Sequence, residues 1–250
     1  MLLRVLFHSI VVVLLTILTQ IGGIAWLVAL LARRRLITFA AVYAFLSVAS
    51  LWIAPQLGRV PLPCLSDNDL RMRSVLYCAL NRQYVTPAMK QTVEDLADHM
   101  STRYPGTVTI ALDGNFPFLD GFPMIPHLSH NDGRKLDLAF FYEDEKGHYL
   151  PGKSPSPIGY FAFENGSTNC TSEWFTLRWD LVWLQPLWRD DRVEETRTRA
   201  AITWLTVDQR VEKILLEPHL RSTLGVGYDK VRFQGCHAAR HDDHIHFQIR

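Results

Sequence analysis

The chain carries almost no net charge. Its basic and acidic residues balance to a formal +1, with a pI near 7.8. Outside one short loop the Lys and Arg residues are scattered among acids, so no basic stripe marks a nucleic-acid or phosphate-binding face. Nucleic acid is therefore not an expected partner. Cysteine is scarce as well: Cys64, Cys78, Cys170 and Cys236 are the only four. None falls in a C-x-x-C pair, which argues against a cysteine zinc knuckle. The sequence also has no internal repeat and no low-complexity tract, which argues against a solenoid or a tethered array.

Long apolar runs, by contrast, are present and confined to the start. Residues 5–31 are interrupted only by His8, Ser9, Thr16, Thr19 and Gln20, with Gly22 and Gly23 as small residues. That exceeds the roughly 20 residues a membrane-spanning helix needs. A second apolar run, 36–54, follows Arg33, Arg34 and Arg35 and ends at Pro55. A cleaved signal peptide has a shorter apolar region and no second span behind it. Residues 1–55 thus read as a membrane anchor of two transmembrane helices, with the lipid bilayer as partner. The other arrangement is one long anchor with a re-entrant piece. Basic loops stay in the cytoplasm, so the Arg33–Arg35 loop is expected inside, with the N-terminus and everything after Pro55 outside. Arg4, alone at the outer end, runs against that orientation.

All four cysteines follow the second run, on the side expected to be oxidising, and their even number there favours disulfides. Three pairings are possible. Cys64 with Cys78, and Cys170 with Cys236, is the expected one.

Residues 56–250 are long enough to bury a proper core as one domain, entered through a linker, 56–63, with two prolines and a glycine. Thr86 and Pro87 start a helix, as N-cap and first helical residue. Met89, Val93, Leu96, Ala97 and Met100 then recur at helical spacing before Tyr104, Pro105 and Gly106 stop it. Residues 107–112 read as the first strand of a sheet, and 136–142, 158–163 and 244–249 as further strands. Helices are expected over 193–205 and 208–216, the latter with Asp208 as N-cap and Val211, Ile214 and Leu215 on one side. Helices and strands do not alternate regularly. The expected fold class is therefore α+β, a mainly antiparallel sheet with helices packed on it.

The chemistry concentrates at the C-terminus, in His241-Asp242-Asp243-His244-Ile245-His246. In an extended strand, side chains two apart share a face, so His244 and His246 point the same way. Upstream, His127, His130, the bend-permitting Gly133 and Asp137 offer a matching donor set. Zinc takes imidazole nitrogen and carboxylate oxygen, and a catalytic site uses three such ligands with an open fourth position. His130, Asp137 and His246 would supply that set, on the sheet.

The pattern Ser129-His130-x-x-Gly133-x-x-x-Asp137, followed far downstream by His244-Ile245-His246, resembles a zinc-site signature. It is that of the superfamily joining lysostaphin-type peptidases, D-Ala-D-Ala metallopeptidases and hedgehog signalling domains. Within it, the likeness is greatest to penicillin-insensitive murein endopeptidase. That comparison also draws on His127, on Val211-Glu212-Lys213-Ile214-Leu215 and on Lys230-Val231-Arg232. The resemblance covers about the region from Thr107 to the C-terminus. It implies that His130, Asp137 and His246 hold Zn2+, that His241 and His244 stand beside the water the metal activates, and that His127 can contribute to a second metal position. Three departures bear on the substrate. Residues 112–117 lack the arginine that relatives often place there, Lys135 stands where a small residue is usual, and residues 235–240 look inserted.

The resemblance implies a zinc metallopeptidase hydrolysing amide bonds in peptidoglycan peptide stems, as an endopeptidase. The alternatives are a D,D-carboxypeptidase, a D-Ala-D-Ala dipeptidase, or a non-catalytic zinc-containing cell-wall binding module. The implied location is the bacterial inner membrane, multi-pass, with the domain facing the periplasm or cell exterior. No Glu sits in the terminal motif to take the proton, so that work falls to His244 or His241. Asp242 and Asp243 are candidates to orient their rings, or are solvated acids. Trp174, Trp179, Trp183 and Trp188 either line a glycan or peptide groove or are partly buried core or membrane-interface residues. Asp180 is a second-metal candidate or half of a salt bridge. Asn165 and Asn169 begin glycosylation patterns. His99, His148, His219 and His237 have no partners legible in the sequence.

Overall fold

A computed structural model describes residues 1–66, 68–167, 170–171 and 176–250. Helix α1 (Leu2–Thr19) ends at Gln20, whose φ of 67° breaks the helix, and α2 (Gly22–Ala29) folds back against it. Glycine permits that return. A Cβ on Gly23 would lie 2.8 Å from the Val12 carbonyl and closer still to Thr16 Oγ1. The polar residues of this break are satisfied locally: Thr16 and Thr19 donate to the Val12 and Leu15 carbonyls, and Thr19 Oγ1 accepts from Gly22 N. After the arginine loop, α3 (Arg35–Ile53) runs to the start of the C-terminal part of the chain.

Two helices, Leu2–Thr19 and Arg35–Leu57, are long and apolar enough to cross a membrane. The expected single helix over 5–31 is therefore one helix long enough to span and a half-length return, because α2 covers only about 12 Å at 1.5 Å per residue. The N-terminal end also moves. His8 Nε2 lies 3.5 Å from an Arg35 guanidinium nitrogen, and Met1 and Arg4 border the same hollow as Leu30 and Arg35. Arg4 thus sits at the same end of the bundle as Arg33, Arg34 and Arg35, not at the opposite end.

The part after Pro55 is α+β. Short β1 (Val60–Pro61) leads to β2 (Leu70–Met72), α4 (Val75–Ala79), β3 (Tyr84–Val85) and α5 (Pro87–Arg103). Thr86 caps α5 by accepting from Met89 N, as expected, and Met89, Val93, Leu96, Ala97 and Met100 are all buried. Then come β4 (Thr109–Ala111), β5 (Lys135–Ala139), β6 (Tyr142–Glu143), β7 (Arg192–Val193), α6 (Glu195–Val207), β8 (Val211–Leu215), α7 (Pro218–Thr223), β9 (Val231–Arg232) and β10 (His244–Ile249). Six strands form the main sheet in the order β2-β4-β5-β10-β8-β9. Its centre is antiparallel, but β2 with β4 and β8 with β9 pair in parallel, so the sheet is mixed.

Several elements differ from expectation for local reasons. The segment 107–112 is not the first strand of the sheet, because β2 precedes it. Residues 208–216 form no helix. Asp208 Oδ1 accepts from Arg210 N in a turn, and Val211 to Leu215 become a strand bonded on both sides. Residues 158–163 form no strand either. Phe161 has φ 65°, its N–H donates to Asp243, and its carbonyl accepts from the side chains of Gln185 and Trp188. Side chains hold that segment where a neighbouring strand would otherwise do so. The segment 136–142 splits, its end pairing with β7 in a separate ribbon.

Phe247, Ile245, Leu136 and Leu138 join the residues of α5 and α6 in one apolar core. Side chains alternate along each strand, so this core leaves His246, His244 and Asp137 on the opposite face. Both expected disulfides are present, Cys64–Cys78 and Cys170–Cys236.

Candidate metal centre

Strand register makes the site. His246 of β10 stands directly opposite Asp137 of β5, and His244 opposite Ala139. Facing residues of an antiparallel pair put their side chains on the same side, close enough to touch. His246 Nδ1 accordingly lies 2.8 Å from Asp137 Oδ1. His130 comes in from the loop before β5, its Nε2 3.1 Å from His246 Nδ1 and 3.2 Å from Asp137 Oδ1. All three side chains are buried.

Three donor atoms 2.8–3.2 Å apart approach the edges of a tetrahedron around one ion, since Zn–N and Zn–O bonds of about 2.1 Å place ligands roughly 3.4 Å apart. The protonation states agree. His130 Nδ1 is 2.9 Å from the Gly114 carbonyl, which takes its N–H and leaves the Nε2 lone pair facing the other two donors. Burial pushes His246 down to about 4, so it is neutral. Burial alone would raise the Asp137 carboxyl, but His130, His244 and His127 hold it well below the usual range. A neutral His246, a His130 whose Nδ1–H is taken by the Gly114 carbonyl, and a carboxylate fit a metal ion.

Asp137 divides its two oxygens. Oδ1 serves the cluster just described, while Oδ2 accepts the Tyr160 hydroxyl at 2.7 Å and lies 3.1 Å from His127 Nδ1. His127 also lies 3.0 Å from Asp113 Oδ2. Burial opposes its charge, yet Asp137 and Asp113 push it up to about 10. His127 belongs with Asp137 and His244 to a second group of donors close enough for a metal, and His241, His244 and His246 form a third.

No protein-family model matches the chain, and no curated protein matches it. What the site can do rests on its own geometry.

His244 and His241 flank the His130–Asp137–His246 cluster. His244 Nε2 faces Asp137 Oδ1 at 3.7 Å, and its Nδ1 lies 2.5 Å from Asp243 Oδ1. The Nδ1–H of His244 therefore donates to Asp243, leaving Nε2 free to accept a proton. Burial works against its protonation, but Asp137 and Asp243 raise it above the ordinary value. The His241 ring stands 5.1 Å from that of His244. Burial, with His244 and His246 adding to it, keeps His241 far below its ordinary value and hence neutral. Of the two acids expected to orient rings, only Asp243 does so. Asp242 pairs with Arg240 at 2.5 Å, and Asp180 pairs with the same guanidinium at 2.8 Å. Asp180 is thus half of a salt bridge.

Sequence reasoning missed Tyr160, Asp113 and Arg82. Arg82 holds Asp113 through two hydrogen bonds of 2.5 and 2.7 Å, and Asp113 N donates to Tyr160 Oη. An arginine absent from residues 112–117 therefore reaches this region from a distant segment, although it is committed to Asp113 and the Ile125 carbonyl. Also missed was Glu217. It is clamped by Arg178 at 2.8 and 2.9 Å, and its backbone and carboxylate both bond the His241 backbone.

The remaining histidines lie elsewhere. His99 stacks near Trp204, His148 pairs with Asp144, and His219 lies 3.9 Å from Asp242. His237 accepts the Leu177 N–H through its backbone carbonyl. A cleft of about 840 Å³ is lined by Trp188, Glu164, Asp180 and Arg240, whereas Trp179 and Trp183 are exposed outside its lining. Trp174 and Asn169 lie outside the described residues.

Proposed function

We propose that the chain is a membrane-anchored zinc metallopeptidase that hydrolyses amide bonds in peptidoglycan peptides, as an endopeptidase related to the murein endopeptidases. One observation carries the reading. Three buried donors of zinc type, His130 Nε2, Asp137 Oδ1 and His246 Nδ1, lie 2.8–3.2 Å apart beside a histidine tied to a carboxylate.

Zinc held there would polarise a scissile carbonyl and bring the pKa of a water molecule into the neutral range. His244 takes the proton from the attacking water at Nε2 and returns it to the leaving amine, its tautomer held by Asp243. Neutral His241 offers an N–H to the oxygen where charge develops. Tyr160 and His127 keep Asp137 from turning, because both engage its other oxygen.

Arg4, Arg33, Arg34 and Arg35 at one end of the bundle favour that end in the cytoplasm. The domain then faces the periplasm or cell exterior, where disulfides such as its two persist.

The test is zinc content of the full chain in detergent, combined with digestion of murein sacculi and chromatography of the released muropeptides. Bound zinc with loss of cross-linked dimers supports the endopeptidase. Shortened stems with intact cross-links move the activity to a carboxypeptidase. Bound zinc with unchanged sacculi sinks the hydrolase reading.

A further inference from the structure

The outer domain does not stand clear of the helices that anchor it. At 1.5 Å per residue α3 rises about 27 Å from Arg35 to Ile53, and Tyr43 lies about 15 Å short of its far end. Yet the Tyr43 hydroxyl donates to the carbonyl of Ala79, at the end of α4, and accepts from Asn81 Nδ2. The loop on the other side of the site is tied down too, Phe118 N donating to Gln20 Oε1 at the α1–α2 break. Both α4 and this loop therefore sit alongside the membrane helices, not above them.

These two segments present apolar side chains outward: Val75 and Leu76 from α4, and Leu119, Ile125 and Leu128 from the loop, each about half exposed. Between them lies a cavity of about 150 Å³ with almost wholly apolar walls, including Leu76, Leu80, Pro126, Ile158 and Phe161. Its polar end is formed by Arg82, Asp113 and Tyr160, the group that supports Asp137 and His127. Exposed apolar rims beside membrane-spanning helices are stabilised by burial in lipid, as in interfacial helices.

We infer that the mouth of this cavity is sunk in the membrane leaflet on the domain's side, and that the cavity takes a short stretch of the hydrocarbon chain of a lipid-linked peptide substrate. This deepens the proposed function and rests on α1 and α3 crossing a membrane. The substrate class narrows to a peptide that also carries a hydrocarbon chain.

Both native disulfides leave no free thiol among the described residues, so a substituted cysteine in the full chain gives a unique label site. Spin labels at Leu76→Cys and Leu128→Cys, in phosphatidylcholine–phosphatidylglycerol vesicles, are expected to be relaxed several-fold more by oxygen than by a water-soluble nickel chelate. A label at Glu145→Cys, in an exposed polar turn, should show the reverse. Equal nickel access at all three positions would overturn the inference. In the same vesicles the wild-type chain should cleave a palmitoylated cross-linked murein peptide dimer at least tenfold faster than the unacylated one, and Leu80→Asp should reduce that ratio. Equal rates for the two peptides would also overturn it. If neither peptide is cut, the peptidase reading fails and the label depths alone decide whether the mouth lies in lipid.

Discussion

The Nδ1 of His244 lies 2.5 Å from Asp243 Oδ1, and the second oxygen of that carboxylate accepts the Phe161 N–H at 2.6 Å. One acid therefore sets the tautomer of the histidine and pins the irregular segment that covers it. Asp243→Asn should lower kcat by about 10²- to 10⁴-fold, the range of a lost general base, with zinc content unchanged. Steady-state kinetics beside metal analysis checks this, and wild-type turnover in the variant would remove His244 from its assigned role.

Metal binding and proton transfer should separate by mutation. His246→Ala removes a donor 2.8 Å from Asp137 and should weaken zinc binding more than the roughly 10- to 100-fold typical of outer partners. His244→Ala should keep zinc, because His130, Asp137 and His246 remain, and lose activity. Competition with a chromogenic chelator measures both affinities.

Arg82 and Asp113 form a buried, doubly hydrogen-bonded ion pair beneath His127. Replacing Arg82 with Met leaves Asp113 charged and short of partners, which should cost about 3–5 kcal/mol. Denaturant unfolding in detergent tests it, and a loss below about 1 kcal/mol would show the pair to be dispensable on the same reasoning.

Glu164 gives the fold a pH dependence away from the candidate metal centre. Burial, then Asp242, Asp190 and Asp243, push its carboxyl up from 4.5 to about 7. Between those values the folded chain holds a proton the unfolded chain has lost, so this contribution to stability falls as pH rises from 4.5 to about 7. Glu164→Gln should match wild type near pH 4 and exceed it at pH 8 by on the order of 1–3 kcal/mol. Thermal unfolding at the two pH values reads the difference, and parallel curves would contradict it.

Local signals in the sequence were reliable where local physics decides. The Thr86-Pro87 cap, the apolar stripe of α5 and the terminal strand all stand where spacing put them. The stretch 208–216 misled because Val211, Ile214 and Leu215 satisfy a helical face and a strand equally well over so short a run. Pairing with β9 and β10 settled the matter. The fold-back at Gln20 was hidden because hydropathy measures composition, and α2 is as apolar as α1.

The sequence by itself determined the donor chemistry: which histidines and acids exist, and that His244 and His246 share a face of a strand. It also determined that two helices are apolar enough for lipid. Only the tertiary structure decided who meets whom. The register of β5 against β10 sets Asp137 across from His246, and the loop before β5 brings in His130. Arg82, Asp113 and Tyr160 gather behind them from three separate segments. Contacts across such distances depend on how the sheet closes, and neighbouring residues carry no record of it.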